Sequence, residues 1–321
     1  MVVGLDWRHE GEHIHPGDLA PILRQAPPPA WLLRLCGRRR LLPLWTAVAA
    51  MVAGVTRFGS ARAGGSFASG DLTVLQLPSA QEALILAVAA ANPRTVVVLM
   101  GGGAILCEAW RQRVPGLLLL WYPGEQGGAA LADVLLGRIS PSGRMPFSVP
   151  TEASHLPPFD PRARQITYDL WHGYRRMARS GQPAAFPFGF GLSYSRFRHT
   201  DPEVAWLPTP AEEEAAVELA VTVTNTGTVE AAEVVQVYVE PPGEAVERPR
   251  RTLVGFARVS LGPGLSQRLR IRIPQRRLAW FDPDRDGFAL EGGRHRLLVA
   301  RHAEDGGIGV DLELESGVVG P

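Results

Sequence analysis

Ser79-Ala80-Gln81-Glu82-Ala83-Leu84-Ile85-Leu86-Ala87-Val88-Ala89-Ala90-Ala91-Asn92-Pro93-Arg94-Thr95-Val96-Val97-Val98-Leu99-Met100 is the stretch that decides the fold of the first half of the chain. Ser79 and Glu82 stand three apart ahead of an apolar run. That is the spacing of a capping box, in which the Ser hydroxyl and the Glu carboxylate satisfy free amides at a helix start. Leu84, Ile85, Val88 and Ala89 follow at helical spacing. Pro93 closes the run, because proline disfavours helix at the residue before it, Asn92. Thr95 to Met100 then reads as a buried strand. Gly101-Gly102-Gly103 turns the chain into a short helix through Trp110, and Leu117 to Trp121 is a second apolar strand. A further helix, roughly Glu125 to Leu136, ends at Gly137. Strands apolar on both faces, alternating with helices, predict a mostly parallel sheet covered on both sides, an α/β sandwich.

From about Ala215 the period changes to two. Val217, Leu219, Val221 and Val223 alternate with Glu218, Ala220, Thr222 and Thr224, and Asn225-Thr226-Gly227 supplies the exit turn. Leu269, Ile271 and Ile273 alternate with Arg268, Arg270 and Arg272, and Val235, Val237 and Val239 form another inward row. About seven such strands fit before the end of the chain, which predicts an antiparallel β-sandwich. The acidic, proline-containing stretch from Pro202 to Glu214 reads as the linker.

Length and composition agree with two folded domains. The chain has 321 residues, of which 45% are hydrophobic and 20% charged, so neither disorder nor a fibrous repeat describes it. Thirty-three basic side chains, all arginine, face 32 acidic ones for a net charge of +1, which removes the simplest argument for a nucleic-acid partner. Cys36 and Cys107 are too few for a disulfide framework or a cysteine-rich zinc site. Met1 to Asp6 lacks the features of a secretory signal, so a cytoplasmic location is the expectation. Leu41 to Val55 contains Pro43 and Thr46 and falls short of the roughly 20 apolar residues needed to span a bilayer.

Several phrases, in order, resemble glycoside hydrolase family 3, the β-glucosidase and β-xylosidase family. They begin with Val2-Val3-Gly4-Leu5 and Glu10-Gly11-Glu12, and resume at Leu75-Gln76-Leu77-Pro78 and Ala91-Asn92-Pro93-Arg94-Thr95. Trp121 to Gly128, Ala132-Asp133-Val134-Leu135, Pro141 to Pro146, Gly173-Tyr174-Arg175 and Phe186 to Tyr194 continue the series. Phe186 to Tyr194 reads as a domain junction. Val223 to Gly227, Glu233 to Val239 and Leu253-Val254-Gly255-Phe256 are similar to the fibronectin type III-like domain that ends many members.

The resemblance implies an α/β domain over residues 1–199, interrupted by an insertion at about 19–71, then a linker at 200–214 and a fibronectin type III-like domain over 215–321. It implies that the α/β domain is N-terminally incomplete and that the barrel domain, with its nucleophilic Asp, is absent from this chain. Retaining glycosidases need two carboxyl groups about 5–5.5 Å apart, one to attack the anomeric carbon and one to act as acid and then base. By resemblance to a Glu-Gly-x-Asp-Arg pattern, Glu12 is the candidate general acid/base, with Glu10 as its alternative. The sequence departs from that pattern in His13 to Asp18, where the Asp-Arg pair is missing. The implied activity is retaining hydrolysis of terminal β-linked glycosides without a cofactor, with a separate barrel-domain polypeptide as partner and no turnover by the isolated chain. The other reading is a non-catalytic carbohydrate-binding or protein-interaction module.

Other features yield to plainer readings. His9, His13 and His15 with Glu10, Glu12 and Asp18 match no defensible metal-ligand spacing, so no metal site is expected. Gly101 to Gly103 lacks the third glycine and the downstream acid of a dinucleotide fingerprint, and the Trp121 to Gly128 loop reads as packing. Within the insertion, Pro27-Pro28-Pro29, Trp31 to Leu35, Arg38-Arg39-Arg40 and Leu41 to Val55 combine basic and apolar surface. A helical hairpin packed on a barrel accounts for them, and membrane-surface contact through 31–57 is the minor alternative.

Overall fold

The computed structural model describes residues 3–9, 12–13, 49–54, 75–158, 160, 163–208, 214–243 and 246–319. The chain divides into two compact units. The first comprises Met1–Gly143, Val149–Ile166 and Gly191–Tyr194, and the second Arg144–Ser148, Thr167–Phe190 and Ser195–Pro321.

In the first unit the elements run β1 (Val3–His9), β2 (Glu12–His13), β3 (Ala49–Gly54), α1 (Ser79–Ala91), β4 (Thr95–Met100), β5 (Gly116–Leu119) and α2 (Gly127–Leu135). The strand order is β2-β1-β5-β4-β3. The three strands β3, β4 and β5 are parallel, pairing Ala49 with Thr95 and Val96 with Gly116, while β1 runs antiparallel to β5 from Val3 beside Leu119 to Trp7 beside Gly116. Val96, Val98, Leu118 and Leu120 pack with Val134 of α2 and with Leu192 and Tyr194. Val97, Leu99, Leu117 and Leu119 are buried as well, so the strands are covered on both faces as their composition demands.

Several boundaries differ from the sequence reading, each for a physical reason. Helix α1 does begin at Ser79, but no side chain caps it. Pro78 is the N-cap residue, and its carbonyl accepts the amides of Gln81 and Glu82 at 2.8 and 3.2 Å. Ser79 is therefore one position too late for its hydroxyl to serve. The helix expected to reach Trp110 is a turn followed by a 3-10 turn at Arg111–Arg113. Strand β3 falls inside the range read as an insertion and at the end of the apolar run Leu41 to Val55. Its residues form the ladder with β4 and belong to the sheet rather than to a helical hairpin. Residues 19–48 and 55–71 lie outside the described residues. No helix among the described residues is long and apolar enough to cross a membrane.

The second unit has α3 (Tyr174–Ser180) and a short strand at Ala184–Phe186, and apart from a 3-10 turn at Gln275–Leu278 it continues with strands: β6 (Phe197–Trp206), β7 (Ala216–Asn225), β8 (Ala231–Glu240), β9 (Thr252–Leu261), β10 (Ser266–Pro274), β11 (Trp280–Asp282), β12 (Gly287–Leu290), β13 (Gly293–Ala300), β14 (Ile308–Leu314) and β15 (Gly317–Val319). They form a four-stranded sheet ordered β9-β8-β13-β14, a three-stranded sheet ordered β10-β7-β6 and a small sheet ordered β11-β12-β15. The inward rows read from the sequence meet in one core. Val217, Leu219, Val221 and Val223 of β7 pack with Val235, Val237 and Val239 of β8 and with Ile271 and Ile273 of β10. Each such fully buried side chain is worth about 1.5–3 kcal/mol.

The first part of the expected linker at 200–214, through Trp206, belongs to strand β6. It pairs along β7 from Phe197 beside Asn225 to Trp206 beside Val217, with a register shift between Thr200 and Glu203. Asp201 takes a left-handed φ of 53° at that irregularity. Because β6 is an edge strand, Pro202 can sit at the bulge without costing the sheet a ladder bond. The outer face of β8 is also covered, Tyr238 and Leu298 packing with Phe188 and Leu253. Gly189 has a φ of 83° and passes so close to Gln236 that a Cβ there would lie 2.0 Å from its Oε1.

Candidate functional site

The backbone pairs His9 with Glu12 and Arg8 with His13. The candidate acid/base therefore stands on a two-residue strand at the sheet edge, and Glu10, its alternative, lies outside the described residues. The antiparallel run of β1 carries this hairpin to the end of the sheet where β5 begins. The loops Gly101–Gly103 and Trp121–Gly128 leave β4 and β5 at the opposite end. The structure does not bring Glu12 together with either loop.

Those two loops are built by close packing. A Cβ on Gly102 would stand 2.7 Å from Tyr122 Cε2, and one on Gly127 would stand 2.5 Å from Pro123 Cβ. Trp121 holds a φ of 59°, uncommon for a residue with a bulky side chain. After Gly103 the chain enters the 3-10 turn at Arg111–Arg113 with no α-helix before Gly127. A dinucleotide pyrophosphate would need a helix N-terminus directly after the glycine turn, so this loop has no means to hold one. Among the described residues no three His, Cys, Asp or Glu side chains gather as metal ligands, and Cys107 is buried.

A cluster of buried ionisable groups, not anticipated from sequence, lies in the second unit. Arg144 Nη2 donates to Glu233 Oε2 at 2.7 Å, and His199 Nε2 lies 3.7 Å from Glu233 Oε1. Burial raises the Glu233 carboxyl above its ordinary value, with Arg144 pulling it back. Burial, then Arg301 and Arg144, push His199 down to about 4. Burial alone would raise Asp305, but the amide and guanidinium of Arg301, at 2.9 and 3.0 Å, hold it well below the usual carboxylate range. His302 packs against Phe190 and is likewise lowered by burial to about 4. Glu233 is 4% exposed and Arg144 12%, which leaves no room for a substrate. A general acid must reach the atom it protonates; this cluster instead ties Arg144–Ser148 to the β-sandwich. The one sequence signal for it is Glu233 itself, a charge at the head of an otherwise apolar row.

Comparison with known proteins gives these units a lineage. The Glycosyl hydrolase family 3 C-terminal domain matches residues 46–194, and the Fibronectin type III-like domain matches residues 233–303. The first match runs through the last part of the range read as an insertion, β3 included, and leaves Glu10 and Glu12 outside it. A Beta-glucosidase of Rhizobium radiobacter is 37% identical over 76% of this chain and 30% of its own length. An Exo-alpha-(1->6)-L-arabinopyranosidase of Bifidobacterium longum is 36% identical over 73% of this chain and 31% of its own length. The chain thus spans about three-tenths of these relatives. Among solved structures, the GH3 beta-glucosidase of Bifidobacterium adolescentis superposes with a TM-score of 0.73 at 32% identity, covering 84% of this chain and 39% of that one. The Beta-D-glucoside glucohydrolase of Trichoderma reesei gives 0.72 at 26% identity, covering 84% and 40%.

Proposed function

The chain carries a glycosyl hydrolase family 3 C-terminal domain followed by a fibronectin type III-like domain, and from that premise we propose that it is the non-barrel portion of a β-glucosidase-like O-glycosyl hydrolase. The observation that carries this reading is the 37% identity to a beta-glucosidase across 76% of the chain. The substrate class is a terminal β-linked glycoside. The nucleophilic carboxylate belongs to a barrel domain outside these 321 residues, and no cofactor takes part.

In this proposal Glu12 protonates the departing glycosidic oxygen and, as the carboxylate, then takes a proton from the attacking water. Its place on a short strand at the sheet edge supports the role, since an edge hairpin can be laid against a second domain. Burial against the barrel would raise its pKa toward the working pH. The test is hydrolysis of chromogenic β-glucosides and β-xylosides by the chain with and without a barrel-bearing polypeptide. Glu12→Gln should abolish turnover by the assembled pair. Retained turnover would remove Glu12 from the mechanism.

A second reading, a non-catalytic carbohydrate-binding or protein-interaction module, is favoured by one observation. The family match starts at residue 46 and leaves both candidate carboxylates outside it. No turnover in any combination, with saturable binding to an oligosaccharide or to a barrel protein, is its expected result.

A further inference from the structure

The second unit contains a groove of about 400 Å³ that takes no part in the chemistry above. Its walls are mainly apolar, with Leu170, Val246, Leu278, Trp280 and Phe281 among them. Arg175, Arg248, Arg277 and Glu247 also line it. Two of these charges are already matched. Arg248 pairs with Glu291 and lies 5.0 Å from the centre of the Trp280 ring, and Glu247 is held by Arg179 at 2.7 Å. Arg175 and Arg277 have no acidic partner among the described residues, and the Nε atoms of Arg175 and Arg248 are buried without a hydrogen-bond acceptor. The groove therefore combines an apolar, partly aromatic wall with two surplus guanidinium groups.

We propose that this groove binds a planar aromatic carboxylate of hydroxycinnamate size. Its volume is that of a small-molecule site. A bare inorganic anion would leave the apolar wall uncovered, and a neutral sugar would set hydroxyls against Leu170, Val246 and Phe281. An aryl ring covers that wall and packs near Trp280 and Phe281. Its carboxylate meets the arginines, whose planar fork matches carboxylate geometry. The site is separate from the glycosidase reading and stands without it.

Calorimetric titration of the whole chain with 4-coumarate tests the proposal, with 4-coumaryl alcohol, glucuronate and inorganic phosphate as parallel ligands. Saturable 4-coumarate binding is expected, at least roughly tenfold tighter than each parallel ligand and weakened by a similar factor in Arg277→Gln. Arg277 is exposed on a 3-10 turn, so this substitution should leave the fold intact, which circular dichroism checks. Absence of saturation up to about 10 mM would overturn the proposal. So would equal binding of the alcohol, glucuronate or phosphate, or an unchanged affinity in a folded Arg277→Gln variant.

Discussion

Arg144 donates from Nη2 to Glu233 Oε2 at 2.7 Å across 89 residues of sequence, and both side chains are almost wholly withdrawn from water. A buried pair of this kind adds little over an apolar substitute, but half of it left alone is costly. Arg144→Met should therefore destabilise the second unit by about 3–5 kcal/mol in urea unfolding, because it strands a buried carboxylate. The double variant Arg144→Met, Glu233→Leu should recover part of that loss. Small additive costs for the two single changes would show that the pair is not coupled.

His302 accepts the Glu304 amide through Nδ1 at 3.3 Å, and burial lowers its pKa from 6.5 to about 4. Asp305 acts in the opposite direction, while Arg301, Arg144 and Arg251 reinforce the lowering. A group whose folded pKa is depressed contributes stability that is whole above its unfolded value and lost as pH falls through the folded one. The stability difference between the wild type and His302→Gln should therefore shrink as pH drops from 6.5 to about 4 and stay flat above that window. Urea titrations across this range give the difference. A constant gap would show that His302 has the same pKa in both states.

Local patterning makes much of the architecture legible in the sequence. The period-two rows of β7 and β10 and the apolar run of β4 each carry their own burial signal, and all three are buried as read. The sequence misleads where a residue's meaning depends on its neighbours in space. Pro202 and the acids beside it look like a linker, yet at the edge of a sheet they are admissible in a strand. Ser79 has the spacing of a cap, but the carbonyl of Pro78 does that work. Glu233 stands out as a charge in an apolar row, but its pairing with Arg144 is not legible, since no periodicity joins residues 89 positions apart. Of the candidate site, the residue type and its motif are visible in Glu12, while its separation from the glycine loops follows only from the antiparallel direction of β1.

Gly127 and Gly128 offer a controlled pair at the start of α2. A Cβ on Gly127 would meet the Pro123 ring at 2.5 Å, whereas nothing lies within 4 Å of one on Gly128. Gly128→Ala should stabilise the first unit by up to about 1 kcal/mol through helix propensity. Gly127→Ala should destabilise it by about 1–3 kcal/mol, since the proline ring cannot swing aside. Thermal unfolding of the two variants decides the matter. Equal effects would mean that the Pro123 contact carries no weight.

The most direct test of the central proposal is the initial rate on a chromogenic aryl β-glucoside, measured for the purified 321-residue chain and again after co-expression with a barrel-bearing polypeptide. The proposal predicts no turnover by the chain alone, turnover by the pair, and its loss in Glu12→Gln. Turnover by the chain alone, undiminished in Glu12→Gln, would contradict it.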